Sequence, residues 1–238
     1  MYTNSPFLRT TSLVFRKSEE LDGLFRLRVR DGVDTIVVRL GNAVYLLRKT
    51  TGEIAQALLT VSKRIIEYTE DIVGYLNTLA GNVYTISKVT SGSWTFDNQL
   101  VENNDVLQYV DSSALNEFQK QKLCGLVQER LLALHSKKLV LCSFTLHNVL
   151  FTDNNLLFTD LRDLRIARRQ SLLVEDFRKV ISYLITAGIA TRADVYQAII
   201  TYAVAMESAC HSWYQERKSS KARDTLALVG ELEQAVYI

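Results

Sequence analysis

A single proline, Pro6, and ten glycines in 238 residues leave the backbone few enforced breaks, so helices are free to run long. No stretch approaches the roughly 18 consecutive apolar residues of a membrane span, and the N-terminus, Met1-Tyr-Thr-Asn-Ser-Pro-Phe-Leu-Arg9, has no apolar run of signal-peptide length. A formal charge of +2 gives no electrostatic case for nucleic acid as a partner. The three cysteines, Cys124, Cys142 and Cys210, are widely spaced and form no Cys-x-x-Cys, which reads as reduced thiols in a cytoplasm. No internal repeat or low-complexity tract is visible, and no Gly-x-Gly-x-x-Gly loop precedes Val44 to offer phosphates a backbone cradle.

What is present is 47% apolar and 23% charged residues, enough to bury a core as one large domain or two lobes. From Leu24 to Lys49 the hydrophobic period is two, with turn signals at Asp31-Gly32 and Gly41-Asn42, which predicts a three-stranded antiparallel meander. Arg26, Arg28 and Arg30 line one face of its first strand, either as a phosphate or anionic-lipid surface or as the solvated side of an edge strand. Thr51 to Leu79 repeats apolar residues at three and four, as two helices or one bent one. Val83 to Val89 and Trp94 to Val101 read as two more strands, and Glu102 to Asp105 as a linker. A helix capped at Ser112-Ser113 then runs through Leu134 to His135. Further on, a helix carries the stripe Phe177, Val180, Ile181, Leu184 and Ile185; Thr191-Arg-Ala-Asp194 reads as a capping box; and a last helix spans Thr225 to Val236.

The stretch Leu139 to Asp163 reads as a site. Its short apolar runs, Val149 to Phe151 and Leu156 to Phe158, are split by Thr152-Asp153-Asn154-Asn155, the pattern of a tight hairpin. Asn148 enters that hairpin and Asp160 leaves it, so a carboxamide and a carboxylate twelve positions apart are expected to converge. Such a pair suits Mg²⁺, which takes one or two protein oxygens and completes its shell with water and phosphate. Four guanidiniums follow, Arg162, Arg165, Arg168 and Arg169, which suit an anionic substrate or form a solvated loop in which one arginine fixes Asp176.

The segment Leu131-Leu-Ala-Leu-His-Ser-Lys-Lys-Leu139, with Asn148-Val-Leu-Phe and Phe158-Thr-Asp160-Leu-Arg, resembles the C-lobe core of the protein-kinase-like superfamily. Within it the chain is most similar to lipopolysaccharide core kinases of the WaaP, InaA and Kdo-kinase type. Asp160-Leu-Arg-Asp-Leu-Arg stands where those carry Asp-Leu-His-Arg-Ala-Gln, and Val174-Glu-Asp176-Phe and Ala187-Gly-Ile-Ala-Thr-Arg-Ala-Asp194 echo their later motifs. The resemblance implies a two-lobed α+β fold: an N-lobe of residues 1–105 with a small antiparallel sheet, and a mainly helical C-lobe of residues 106–238. It implies ATP and Mg²⁺ as cofactors, with Asn148 and Asp160 on the metal. Arg48 or Lys49 would contact the phosphates, Glu70 (or Glu67) on the helix that follows would orient that cation, and Arg162, Arg165 and Arg169 would hold the substrate.

One departure alters the chemistry. The position of the catalytic aspartate is held by Ser143, and no other carboxylate lies between Leu139 and Asn148. A serine hydroxyl is no base at neutral pH, and His147 is the one titratable group close by. The expected function is accordingly either ATP-dependent phosphoryl transfer to a sugar hydroxyl of an anionic glycolipid, impaired by this loss, or a pseudokinase that regulates or binds a protein partner. In both cases the protein is expected in the cytoplasm, at most peripheral to the inner face of a membrane.

Overall fold

Alternating residues and a two-residue turn decide the centre of the first sheet. Strands β2 (Thr35–Leu40) and β3 (Ala43–Thr50) pair antiparallel with Leu40 opposite Ala43, so only Gly41 and Asn42 link them. Gly41 has φ 57, a left-handed conformation that glycine adopts without Cβ strain. The computed structural model describes residues 10–15 and 34–214, apart from 91, 99, 101–106 and 153. The expected strand bearing Arg26, Arg28 and Arg30, the linker Glu102 to Asp105 and the helix Thr225 to Val236 lie outside the described residues.

The chain divides into two compact units, Met1–Val110 with Val149–Arg162, and Asp111–Asn148 with Asp163–Ile238. In the first, helix α1 (Gly52–Ile65) follows β3, capped by the Thr51 hydroxyl, which accepts from the Ile54 N–H at 3.3 Å. Strands β4 (Asp71–Thr78) and β5 (Val83–Val89) complete a five-stranded sheet of order β1-β4-β5-β3-β2, in which β1 is Thr10–Phe15. The helix read from Thr51 to Leu79 therefore stops at Ile65. Ile72, Tyr75 and Leu76 belong to a strand flanked by β1 and β5, and the register shift between Ile72 and Gly74 breaks its alternation into a false helical period. Tyr84, Leu47, Leu76 and Ile86 form the core on one face, and Val37, Leu46, Val89, Leu107 and Leu150 cluster separately.

A second sheet of order β10-β9-β6-β7 belongs to the same unit. Its hairpin, β9 (Val149–Thr152) with β10 (Asn155–Phe158), pairs Val149 with Phe158. The strand expected over Trp94 to Val101 is only Trp94–Thr95 (β6), which reaches β9 through Trp94 stacked on Phe151 at 4.4 Å; β7 is Gln108–Tyr109. The α1–β4 connection also joins this hairpin. The Glu70 N–H donates to the Phe158 carbonyl at 2.8 Å, and the Phe158 N–H to the Tyr68 carbonyl at 3.0 Å.

The second unit is helical around a short ladder of β8 (Leu139–Val140) and β11 (Arg165–Ile166). Helix α2 (Glu117–Ser136) is capped by a reciprocal box between Asn116 and Gln119, not at Ser112-Ser113, which instead opens a 3₁₀ turn. Helices α3 (Gln170–Thr186) and α4 (Arg192–Tyr214) follow, the latter opened by Thr191, whose N–H and hydroxyl both donate to Asp194. Phe177, Val180, Ile181 and Leu184 are buried as the period requires. No helix among the described residues is long and apolar enough to cross a membrane. The turn that closes helix α2 contains Lys138 with φ 60, its N–H bonded back to the His135 carbonyl at 2.9 Å. A side chain in that left-handed position is strained, so Lys138→Gly is expected to stabilise the protein by about 0.5–1 kcal/mol. A higher urea midpoint at unchanged slope is the reading that checks it.

Candidate functional site

On β3, neighbouring side chains alternate between faces, so Arg48 and Lys49 cannot serve one site. Arg48 is the one that turns inward. It is 5% exposed, its Nη2 donates to the Thr159 hydroxyl at 3.1 Å, and its Nε lies 3.7 Å from Glu70 Oε2. Neither Arg48 Nε nor Glu70 Oε2 has a hydrogen-bond partner, so the two face each other as a buried pair just beyond bonding distance. Glu70 is not on a helix as expected. It follows the turn after α1, just before β4, and the Thr69–Phe158 bridge holds it there. Glu67 lies in that turn, exposed.

The other Glu70 oxygen, Oε1, accepts the Asp160 N–H at 3.0 Å. Asp160 has φ 56, a left-handed conformation in which aspartate is among the better-tolerated side chains, and the Glu70 bond helps fix it. Arg48, Glu70, Thr159 and Asp160 thus form one cluster inside the first unit, two hydrogen bonds joined by an ion pair. Burial pushes the Glu70 carboxyl above its ordinary value, against the opposing pull of Arg48. For Asp160 burial also acts upward, but the Arg162 hydrogen bonds and the fields of Arg48 and Arg162 outweigh it and hold the carboxyl below its ordinary value. Arg162 grips Asp160 with both prongs, Nε to Oδ1 at 2.5 Å and Nη2 to Oδ2 at 2.7 Å.

The same face of β3 carries a second feature. A cavity of about 230 Å³ lies at the start of the strand, lined by Val44, Val89, Ser93 and Leu107 beside the Gly41–Asn42 turn. Ser93 is 5% exposed, and its Oγ has no hydrogen-bond partner. Val44 and Arg48 share one face, and four residues of strand separate them by about 13 Å.

In the second unit, one buried carboxylate fixes the loop that carries Ser143. Asp176, 4% exposed, accepts the N–H groups of Leu141 at 2.9 Å and Cys142 at 2.8 Å and the Nε2–H of His135 at 3.0 Å. On the other side of the ring, His135 Nδ1 is hydrogen-bonded to the Tyr202 hydroxyl. Backbone and histidine therefore hold Asp176, where the sequence offered an arginine. Cys142 sits in the left-handed region at φ 63, and burial, followed by the charge of Asp176, pushes its thiol above the ordinary value.

Ser143 is exposed, and its hydroxyl donates to Asp163 Oδ2 at 2.9 Å. Sequence reasoning missed this carboxylate because it searched only the loop before Asn148. The β8–β11 ladder, which pairs Val140 with Arg165, brings Asp163 across from a position twenty residues later. His147 and Asn148 occupy a 3₁₀ turn in this unit, His147 exposed, while Asp160 belongs to the first unit. Arg165, Arg168 and Arg169 are exposed. No group of three or more His, Cys, Asp or Glu side chains able to hold a metal occurs among the described residues.

No protein-family model matches the chain, and no curated protein matches it in sequence. Among solved structures it is similar to the complex of Neurospora crassa PAN2 (WD40-CS1) with PAN3 (pseudokinase and C-term), with 13% identity, TM-score 0.45, and coverage of 99% of this chain and 64% of that one. It is also similar to the Drosophila melanogaster PAN3 pseudokinase, with 12% identity, TM-score 0.44, and coverage of 82% and 57%. A Neurospora crassa PAN3 pseudokinase mutant matches at 13% identity, TM-score 0.44, and coverage of 99% and 65%. The chain spans less than two thirds of the length of each.

Proposed function

We propose that this protein is a pseudokinase-type module that binds a nucleotide and acts through a protein partner instead of transferring phosphate. The observation that carries this reading is the buried Arg48–Glu70 pair bonded to the backbone of Asp160. A kinase-like site needs such a cation–acid pair to hold a phosphate-binding group in place. The cavity at Val44 lies on the same strand face, so a nucleotide can run along β3, its base in the cavity and its phosphates toward Arg48 and Arg162. Ser143 removes the loop's own base, which by itself forfeits about two to four powers of ten in rate.

A second reading, residual phosphoryl transfer, is favoured by Asp163 against the Ser143 hydroxyl, a carboxylate placed beside the serine that replaces the base. A glycolipid acceptor gripped by Arg162, Arg165 and Arg169, and a location at the inner face of a membrane, rest on the sequence resemblance alone.

Two measurements on the full chain separate the readings. ATP is expected to raise the melting temperature of the wild type and not that of Asp160→Asn. γ-Labelled ATP is expected to give no transfer to the protein, to water or to a core saccharide. Transfer by the wild type that disappears in Asp163→Asn would establish the second reading instead.

A further inference from the structure

The kinase resemblance implies a divalent cation on Asp160, and the donor set there does not fit one. Both carboxylate oxygens of Asp160 already accept from Arg162, in the bidentate geometry that matches a guanidinium to a carboxylate. The remaining carboxylate nearby, Glu70, has one oxygen on the Asp160 N–H and the other facing Arg48. Two guanidiniums therefore stand against two carboxylates, and the cluster is neutral without any metal. A dication admitted here would have to displace Arg162 and leave the cluster, the buried Arg48 included, with a net charge of +1. Arg162 follows Asp160 by two residues, and the left-handed turn at Asp160 helps aim the carboxylate at its own neighbour.

We propose that Arg162 is a built-in substitute for the divalent cation: it occupies the cation position on Asp160, so no Mg²⁺ binds there and a phosphate-bearing ligand is held without metal. The second half rests on the nucleotide-binding reading above; the first does not. In the resting state the guanidinium neutralises Asp160 through both carboxylate oxygens. Because Arg is never deprotonated near neutral pH, this substitution is permanent and needs no ion in solution.

The test uses Mn²⁺ alone as probe, followed by electron paramagnetic resonance of the full chain, and then ATP with and without Mg²⁺. The side chain of Arg162 is 39% exposed, so Arg162→Gln is expected to fold, and circular dichroism with a melting curve confirms that it does. Wild type is expected to leave Mn²⁺ free. Arg162→Gln is expected to gain about tenfold in Mn²⁺ affinity, the size of effect that one neighbouring side chain has on a metal site, and Arg162→Gln/Asp160→Asn is expected to lose that gain. For ATP, wild-type affinity is expected to be the same in EDTA and in Mg²⁺, whereas Arg162→Gln becomes Mg²⁺-dependent.

Mn²⁺ bound by wild type and released by Asp160→Asn would overturn the proposal, as would a folded Arg162→Gln that gains no Mn²⁺. ATP binding in wild type that tightens tenfold or more with Mg²⁺ would overturn it too. Absence of ATP binding in every condition, with the Mn²⁺ gain still present, would uphold the cation substitution while removing the nucleotide reading.

Discussion

Replacing Arg48 by methionine is expected to destabilise the protein by about 3–5 kcal/mol, because it strands a charge in the interior. Glu70 is 2% exposed, and its Oε2 faces Arg48 Nε at 3.7 Å. Glu70→Leu is expected to cost a similar amount, since it leaves buried Arg48 without its counter-charge and also removes the acceptor of the Asp160 N–H. The double variant Arg48→Met/Glu70→Leu is expected to recover most of the loss. Replacing both members of a buried pair by apolar groups is often neutral, and the orphaned Asp160 N–H then accounts for about 1–3 kcal/mol.

The pH dependence has a defined sign. The folded Glu70 carboxyl is raised above its ordinary 4.5, mainly by burial. The folded state therefore holds this proton more tightly than the unfolded chain. Its contribution is full below 4.5 and is lost as pH rises through the folded value, leaving the cost of a buried charge at neutral pH. Arg48 opposes that rise, so in Arg48→Met the window widens. The deficit of Arg48→Met against wild type is expected to be smaller below pH 4.5 than at neutrality, as measured by urea unfolding at both values.

Asp176→Ala is the second large effect. Three donors, the Leu141 and Cys142 N–H groups and His135 Nε2, lose their common acceptor in a buried setting. At about 1–3 kcal/mol for each unsatisfied buried group, the total is expected to reach roughly 3–5 kcal/mol, less whatever relaxation recovers. Asp176→Asn keeps one acceptor oxygen and is expected to cost about half as much. The damage is local to the loop as well as global. Cys142 is held in its left-handed conformation by this contact, and the Asp176 charge is one cause of its raised thiol value. Its labelling by a thiol reagent is therefore expected to accelerate in Asp176→Asn, whereas buried Cys124 should change little under native conditions.

Much of the α+β architecture was legible because single residues carried it. Gly41-Asn42 between two alternating runs wrote the β2–β3 hairpin, Thr152 to Asn155 wrote β9–β10, and Thr191 with Asp194 wrote the start of α4. Strand β4 was illegible for a physical reason: flanked on both sides and shifted in register near Gly74, it shows no alternation. Its apolar residues then fall three and four apart by accident. Strand β6 was overread because Trp94 and Phe96 suggest a long strand, although their work is to pack against Phe151, Trp94 face-on and Phe96 edge-on.

At the site, Arg48, Glu70 and Asp160 were named from a resemblance, and the structure places them together, Arg48 as an ion pair with Glu70 and the Asp160 N–H as a donor to Glu70. The Glu70 helix was wrong, yet the residue still reaches Arg48, since a strand mouth pinned to Phe158 can present a carboxylate as firmly as a helix does. Asp163 and the Arg162 grip on Asp160 were not legible. Both depend on where the chain turns after β10, which the left-handed Asp160 sets, and no local propensity announces that turn.

The most direct test of the account is calorimetric titration of ATP into the full chain. It predicts saturable binding at one site that Asp160→Asn abolishes, with no release of inorganic phosphate over the course of the titration. No binding by folded wild-type protein, or binding left unchanged by Asp160→Asn, would contradict it.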